Sequence, residues 1–355
     1  MSNAKYIGLD VHQATTVAAV IDGGGKLILE AIVETKASTI VELIDGIRGQ
    51  LNVTLEEGTC AAWLHDVLEP HVHRVLVCDP RKNALLKQGN KSDKIDARKL
   101  AELLRADMLS PVYHRETGVR ALQEAARSYL TLTQDSTRVM SRIKAVYRGR
   151  GIACAGETVY AARHRSEWLE KLSEPGRRRR AERLYAQLDQ LRVLRQQARH
   201  DLLEESRKHA ASRRLCQIPS IGPVRAALLI ALMQTPHRFR TKRQLWAYSG
   251  LAVETRDSAE YCVRDGQLQR ARKRVVVRGL NANRNPHLKQ LFKSTALSAS
   301  IKPGPFGDYY ARLLEKGIKP ALARLTLARK IAAITLVVWK KGERFDPAKL
   351  NTQAA

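Results

Sequence analysis

Residues 6–33 read YIGLDVHQATTVAAVIDGGGKLILEAIV, which is three apolar segments joined by two short polar turns. The spacing predicts strands over Tyr6–Val11, Thr15–Ile21 and Lys26–Val33, with Asp22–Gly25 as the second turn. Connections this short favour an antiparallel meander of three strands. The sequence therefore predicts a sheet that begins with two consecutive hairpins.

The next 70 residues alternate between helical and strand patterns. The predicted elements are a helix over Ser38–Leu51, a strand over Val53–Leu55, a helix over Cys60–Leu68, a strand over Arg74–Cys78, and helices over 81–88 and 94–106. The element order βββαβαβα is that of the RNase H-like (RuvC-like) α/β fold. We therefore expect such a domain at the N-terminus.

From about residue 119 the pattern becomes helical. Long helices are predicted over Val119–Arg148 and 178–208, with apolar residues at spacings of three and four. They would form an antiparallel helical pair or a coiled coil, either of which could make a dimer contact. We expect four domains: an RNase H-like domain (1–115), a basic helical or coiled-coil linker (116–212), a mainly α C-terminal domain (213–300) and a helical C-terminal region (301–355).

The charge of the chain indicates its class of partner. Among 355 residues, 62 Lys and Arg face 35 Asp and Glu, for a net charge of +27 and a pI of about 10.3. Self-repulsion of this size disfavours a compact chain unless a polyanion offsets it. Nucleic acid is the favoured partner, because cations bound to phosphates release condensed counterions. An anionic membrane is the alternative, but the best apolar run, Ile331–Trp339, is far shorter than the roughly 18–20 residues of a spanning helix.

The cysteines and the N-terminus predict a cytoplasmic protein. The first residues lack an apolar signal region, and the five cysteines show no CxxC spacing. Reduced thiols are expected. His71 and His73 lie two apart, but the ten histidines form no convincing metal motif.

Two basic stretches are candidate nucleic-acid surfaces. Residues 138–215 contain 20 Lys and Arg against 9 Asp and Glu, including four consecutive arginines, Arg177, Arg178, Arg179 and Arg180. Residues 264–289 contain eight Lys and Arg against one Asp, including Arg272, Lys273 and Arg274. A solvated helix face is the alternative interpretation of such runs.

The segment 215–226, LCQIPSIGPVRA, resembles the hairpin of a helix-hairpin-helix element. That element uses a glycine turn and a helix N-terminus to bind a phosphate. Gly222 and Arg225 are the candidate contacts, and Ser220 occupies a position where a second glycine is common. An ordinary turn between packed helices is the alternative.

Four acidic residues are candidates for phosphodiester chemistry. This chemistry commonly uses two divalent ions roughly 3.5–4 Å apart, held by clustered carboxylates. Asp10 lies within an apolar strand, Glu56 ends another, and Asp93 and Asp96 are three apart at a helix start, which places both on one face. Glu57 is the alternative to Glu56. A solvated strand position for Asp10 and first-turn helix acids for the aspartates are the alternatives without metal.

Six motifs together carry a family resemblance. They are IGLDVH (7–12), LEEGTCAAWL (55–64), KSDKIDARKLA (91–101), IPSIGP (218–223), FRTKRQLWAYSGL (239–251) and NRNPHLKQL (283–291). The chain resembles the DEDD transposases of the IS110 insertion-sequence family, which includes the Piv/MooV-type DNA invertases. The resemblance covers nearly the whole chain, and it places the family's glutamate at Glu56.

The resemblance implies a composite site. Asp10, Glu56, Asp93 and Asp96 would bind Mg²⁺ or Mn²⁺, with two ions expected. A serine of the C-terminal domain would attack DNA to give a covalent phosphoserine intermediate. Ser258 is the best match for that serine, in TRDSAE (255–260), with Ala259 where the family has glycine and Val253 where it has proline.

The resemblance also implies partners and a place of action. These are double-stranded DNA of the element ends and target, a structured bridge RNA that guides by base pairing, and further copies of the chain in a dimer or tetramer. The expected setting is the bacterial nucleoid.

Three other functions remain open from the residues alone. The first is a junction resolvase or endonuclease on the same fold without serine chemistry. The second is an actin-like or sugar-kinase ATPase, which the turn His12–Thr15 disfavours because it contains no glycine. The third is a nucleic-acid-binding protein without catalysis.

Overall fold

The computed structural model describes residues 3–83, 92–112, 117–256, 261–264, 266–270 and 276–350. The chain divides into two compact units, residues 1–117 and 118–355. Each unit has its own hydrophobic core.

A five-stranded mixed sheet forms the centre of the first unit. Its strands are β1 (Ala4–Val11), β2 (Thr15–Asp22), β3 (Leu27–Glu34), β4 (Gln50–Glu56) and β5 (Arg74–Cys78), in the order β3-β2-β1-β4-β5. β1, β2 and β3 are antiparallel, whereas β4 is parallel to β1 and β5 is parallel to β4. The predicted meander and the predicted α/β class are both confirmed.

Helices cover both faces of this sheet. They are α1 (Ala37–Asp45), α2 (Ala61–Leu68), α3 (Pro80–Asn83) and α4 (Asp93–Arg105). Alternation along β1 sends Ile7 and Leu9 into a core shared with residues of α1 and α2. Gly8 faces the opposite way, against α4. β1 is therefore buried on both sides, as expected for a strand with helices on each face.

The helix predicted over Ser38–Leu51 is shorter than expected. α1 ends at Asp45, and β4 begins at Gln50. Gly49 between them has a φ of +120°, and a Cβ there would lie 2.5 Å from the backbone oxygen of Asn3. The apolar spacing continued to Leu51 because that residue belongs to the core of the next strand, not to the helix.

The second unit is mainly helical. Its helices are α5 (Arg120–Arg148), α6 (Arg165–Glu170), α7 (Pro175–Arg207), α8 (Ala210–Leu215), α9 (Pro223–Met233), α10 (Lys242–Tyr248), α11 (Pro286–Ile301), α12 (Pro305–Glu315) and α13 (Pro320–Lys341). α5 and α7 pack along each other. Tyr147 near the end of α5 bonds Tyr185 near the start of α7, while Leu122 and Leu202 at the other ends share one core. The two helices are therefore antiparallel, as one of the two predicted arrangements requires.

Four short strands, which the helical prediction missed, interrupt this unit. β6 (Val253–Arg256) pairs with β9 (Val276–Leu280), and β7 (Tyr261–Arg264) pairs with β8 (Gln267–Arg270), both antiparallel. The main core of the unit lies among helices α8 to α13, together with residues of α5 and α7. No helix in the described part of the chain is long and apolar enough to cross a membrane.

Candidate active site

Asp10 lies near the end of the central strand of the sheet. β1 pairs with β2 on one side and with β4 on the other. The Asp10 side chain is 21% exposed, so it is neither solvated nor fully buried. The carboxylate of Asp10 lies close to the start of α4, where Asp93 belongs to the same group of potential ligands.

Gly8 allows α4 to lie directly on β1. A Cβ at Gly8 would lie 2.1 Å from the backbone oxygen of Ala97 and 2.6 Å from the backbone nitrogen of Ala101. No side chain fits between the two backbones, so glycine is required for this close approach. Because Gly8 and Asp10 share one face of β1, the approach also brings α4 towards Asp10.

The first turn of α4 carries Asp93 and Asp96. The helix is capped by Ser92, whose Oγ accepts a hydrogen bond from the Ile95 backbone nitrogen at 3.3 Å. The role of N-cap is thus filled without Asp93. Asp93 and Asp96 lie one turn before Ala97 and Leu100, which are buried, so both acids extend the sheet-facing stripe of the helix.

The structure brings Asp10 and Asp93 together around His12. His12 Nε2 lies 3.4 Å from Asp10 Oδ2 and 3.6 Å from Asp93 Oδ2. One ligand atom from each of the three residues falls within 4.8 Å of the others. His12 is not among the functional residues predicted from the sequence, although strand alternation places it on the face of Asp10.

Glu56 lies on the face of the sheet that carries Asp10, whereas Glu57 lies beyond the end of β4. In the parallel register of β1 and β4, Gly8 pairs with Thr54 and Leu9 with Leu55. Side chains of paired residues point to the same face, so Glu56 follows Thr54 onto the face of Asp10. Glu57 lies beyond β4 and is exposed; its backbone nitrogen bonds the Cys78 oxygen at 2.8 Å. Within the described residues, neither Glu56 nor Asp96 is part of the 4.8 Å group.

An ion pair fastens α4 to the far strand of the meander. The Arg98 guanidinium binds Glu30 of β3 through Nε and Nη2, the latter 2.7 Å from Oε2. The hydrogen bonds from Arg98 lower the pKa of the Glu30 carboxyl below its ordinary value. α4 is therefore held at two points, by Gly8 under its middle and by Arg98 on its side.

These donor atoms suit a hard divalent cation. Carboxylate oxygens are the preferred ligands of Mg²⁺ and Mn²⁺, and an imidazole nitrogen is compatible with Mn²⁺. Asp10 and Asp93 bring carboxylate oxygens from two separate elements into one group. A second group of potential ligands, His65, Asp66 and Glu69, comes from a single helix end and was not predicted.

The predicted nucleic-acid contacts differ in their surroundings, and some lie outside the described residues. Arg177 and Arg178 pair with Glu174 and Glu182 at 2.6 and 3.3 Å, whereas Arg179 and Arg180 are exposed. Ser258, Arg272, Lys273 and Arg274 lie outside the described residues.

The predicted hairpin lies between α8 and α9. Ser220 has a φ of +64°, a left-handed conformation that explains the similarity to a two-glycine turn, and Gly222 precedes α9. Arg225 donates to the backbone oxygens of Ser220 at 2.7 Å and Ser294 at 3.3 Å. Partial burial lowers the pKa of its guanidinium. Arg225 holds the hairpin in place, and the predicted phosphate contact stays a prediction.

Comparison with known proteins gives two family matches and two relatives. A model of the DEDD transposases of IS110, described as "Transposase", matches residues 7–149, and one described as "Transposase IS116/IS110/IS902 family" matches residues 212–280. The "Insertion element IS116 uncharacterized 44.8 kDa protein" of Streptomyces clavuligerus is 29% identical over 138 residues, 39% of this chain and 31% of that protein. The "Putative transposase y4pF/y4sB" of Sinorhizobium fredii is 27% identical over 154 residues, 43% of this chain and 38% of that protein. The chain thus spans about a third of the length of the curated relatives it matches.

Proposed function

Because the chain belongs to the IS110 family of transposases, we propose that it cuts and rejoins DNA to move an insertion sequence. The main support for this proposal is the grouping of Asp10 and Asp93 around His12 at the end of the central strand, with Glu56 on the same face of the neighbouring strand. Clustered carboxylates repel one another in the absence of a cation, so such a cluster is rarely structural.

The topology of the first unit supports an RNase H-like (RuvC-like) domain. An antiparallel β1-β2-β3 meander, extended by parallel β4 and β5, is the arrangement that the predicted fold requires. In open α/β sheets, sites form beyond the carboxyl ends of parallel strands. Asp10 and Glu56 lie at those ends, and the start of α4 is beside Asp10.

Asp10, Glu56, Asp93 and Asp96 are the proposed metal ligands. Mg²⁺ or Mn²⁺, when bound, neutralises charge on the phosphate oxygens and favours attack at phosphorus. The chain contributes the placement of the carboxylates, which depends on the close packing of α4 against Gly8 and on the Ser92 cap. These contacts fix the ligands before DNA arrives.

Ser258 is the proposed nucleophile. Its Oγ forms a bond to phosphorus while the bond from phosphorus to the neighbouring deoxyribose oxygen breaks; the hydroxyl of Ser258 loses its proton, and the departing oxygen takes up one proton in return. The product is a phosphoserine–DNA ester, and the reverse step on a different strand end rejoins the DNA. We propose that Ser258 acts in a different copy of the chain from the acidic cluster, which makes the enzyme an oligomer. The antiparallel α5/α7 pair, with coiled-coil packing between copies, is the proposed dimer contact.

The proposed partners are double-stranded DNA and a bridge RNA that selects it by base pairing. Support comes from the net charge of +27 and from the basic residues 138–215. The same charge supports action at the nucleoid of the bacterial cytoplasm. Sequencing of RNA that purifies with the chain from a host carrying the complete element tests the guide directly.

A covalent adduct distinguishes this function from its nearest rival. We expect wild-type protein, incubated with Mg²⁺, guide RNA and labelled element-end DNA, to form a denaturation-resistant protein–DNA adduct. Ser258→Ala is expected to abolish it, whereas Ser141→Ala, a matched change at an exposed helix serine, retains it.

The rival is a metal-dependent resolvase or endonuclease without serine chemistry. It predicts a free DNA nick that survives Ser258→Ala and no adduct with any variant. That result would indicate that the protein is a hydrolytic nuclease and not a recombinase, and the proposed role of the acidic cluster would stand.

A further inference from the structure

A cavity of about 560 Å³ lies within the second unit, between α5, α7 and the two 3-10 turns that connect α5 to α6. Ser136 and Met140 of α5 form one wall, and Leu188, Arg192 and Arg195 of α7 form the facing wall. Its volume falls in the range of small-molecule sites, about 300–1,000 Å³.

The third wall of the cavity is held against both helices. It consists of the 3-10 turns Thr158–Tyr160 and Ala162–His164. Lys144 of α5 donates to the Gly156 oxygen at 2.9 Å, and Arg192 of α7 donates to the Tyr160 oxygen at 2.8 Å. These bonds tie the wall to both sides, so the cavity is preformed.

The lining joins an apolar interior to a cationic rim. Met140, Ala161 and Leu188 supply apolar surface. Arg163 and Arg195 have no carboxylate partner among the residues that the structure describes. Asp189 lies nearby, but it accepts two hydrogen bonds from Arg165, of 2.7 and 2.8 Å. This leaves Asp189 little capacity to neutralise Arg163 and Arg195.

Glu157 is the only acidic residue that lines the cavity in the described part of the chain. It is exposed, and no described cation pairs with it. A lone carboxylate among cations and apolar groups can accept hydrogen bonds from an amino group, as carboxylates do from the exocyclic amino groups of bases.

We propose that this cavity binds one unpaired nucleotide of a structured nucleic acid. The base enters the apolar interior with its amino edge towards Glu157, and the flanking phosphates lie on Arg163 and Arg195. Unpaired, splayed-out bases are the part of a folded strand that proteins recognise in this way. The choice of nucleic acid as ligand rests on the proposed function, whereas the cavity and its charges do not.

The direct test compares hairpins with and without one bulged nucleotide, made in RNA and in DNA, in the absence of divalent ions. We expect wild-type protein to bind the bulged hairpin about ten-fold more tightly, as one buried base allows. The RNA and DNA arms show which strand supplies the nucleotide. A bulged guanine, adenine or cytosine should bind more tightly than a bulged uracil or thymine.

Two variant pairs separate the cavity from a general basic surface. Ala161→Leu fills the cavity without changing charge and should abolish the preference for the bulge, whereas Ala162→Leu, on the exposed neighbour, should retain it. Arg195→Ala should weaken bulged-hairpin binding more than Arg199→Ala, the same change one turn further along α7. Equal binding of both hairpins by wild type, or a preference that survives Ala161→Leu, would overturn the proposal. Because no cleavage is measured, failure here is distinct from failure of the proposed transposase chemistry.

Discussion

Gly8→Ala is the substitution whose effect can be worked out most directly from the structure. The new Cβ would lie 2.1 Å from the Ala97 backbone oxygen, whereas an ordinary contact needs 3.4 Å, so α4 must retreat by about 1.3 Å. Overpacking of this kind costs about 1–3 kcal/mol of unfolding free energy. Asp93 moves with the helix, and a displacement of about 1 Å in a catalytic group can cost about 100-fold in rate.

The assay measures stability and metal-dependent DNA cleavage on the same protein. We expect Gly8→Ala to unfold at lower urea concentration, to bind Mn²⁺ more weakly and to cleave about 100-fold more slowly. Gly23→Ala is the matched control, because a Cβ there meets nothing within 4 Å. If Gly8→Ala behaved like Gly23→Ala in both measurements, the account of how α4 positions Asp93 would be refuted.

Three further predictions concern other sites. In a cleavage assay, Glu56→Gln should abolish metal-dependent cleavage while Glu57→Gln retains it. The reverse result would indicate that Glu57, and not Glu56, is the metal ligand. Hydrogen bonds from Arg165 lower the pKa of the Asp189 carboxyl, so this pair stabilises the fold above the unfolded pKa of about 3.9 and loses its contribution as pH falls. The difference in unfolding free energy between wild type and Asp189→Asn should therefore shrink from pH 7 to pH 3. A difference that stays constant over this range would argue against a stabilising ion pair. Tyr185→Phe removes the hydroxyl that donates a hydrogen bond to the Val159 oxygen at 2.9 Å. In urea denaturation it should lower the unfolding free energy by about 1–3 kcal/mol. An unchanged unfolding free energy would contradict a structural role for this hydroxyl.

The sheet could be predicted from the sequence because its signals are local. Short apolar segments rich in β-branched residues, joined by a polar turn and a three-glycine turn, specify the meander without help from distant residues. The end of α1 could not be read in this way. Leu51 continues the helical spacing, and only pairing with β1, together with the left-handed Gly49, assigns it to β4.

The strands between residues 253 and 280 were missed for a different reason. They pair as two-stranded ribbons, and two of their valines are exposed. Val253 is 41% exposed and Val263 is 68% exposed. Strands of this kind, interleaved with arginines, lack the half-buried alternation on which strand prediction depends.

The acidic residues could be identified from their positions, but their grouping could not. Sequence spacing places Asp93 and Asp96 on one helix face, yet nothing local shows that this helix lies on β1. The signal is Gly8, whose missing side chain allows two backbones to approach. His12 joins the group only through that approach, and the register of β4 against β1 favours Glu56 over Glu57.

The most direct test of the account is Mg²⁺-dependent cleavage of element-end DNA by wild type, Asp10→Asn and Asp107→Asn. Asp107 is 84% exposed and lies two residues beyond the C-terminal end of α4, so its change is a matched loss of one carboxylate. We predict that Asp10→Asn falls to the level of a protein-free control while Asp107→Asn cleaves at the wild-type rate. Cleavage by Asp10→Asn at the wild-type rate would contradict the claim that the acidic cluster at the end of β1 is the catalytic metal site.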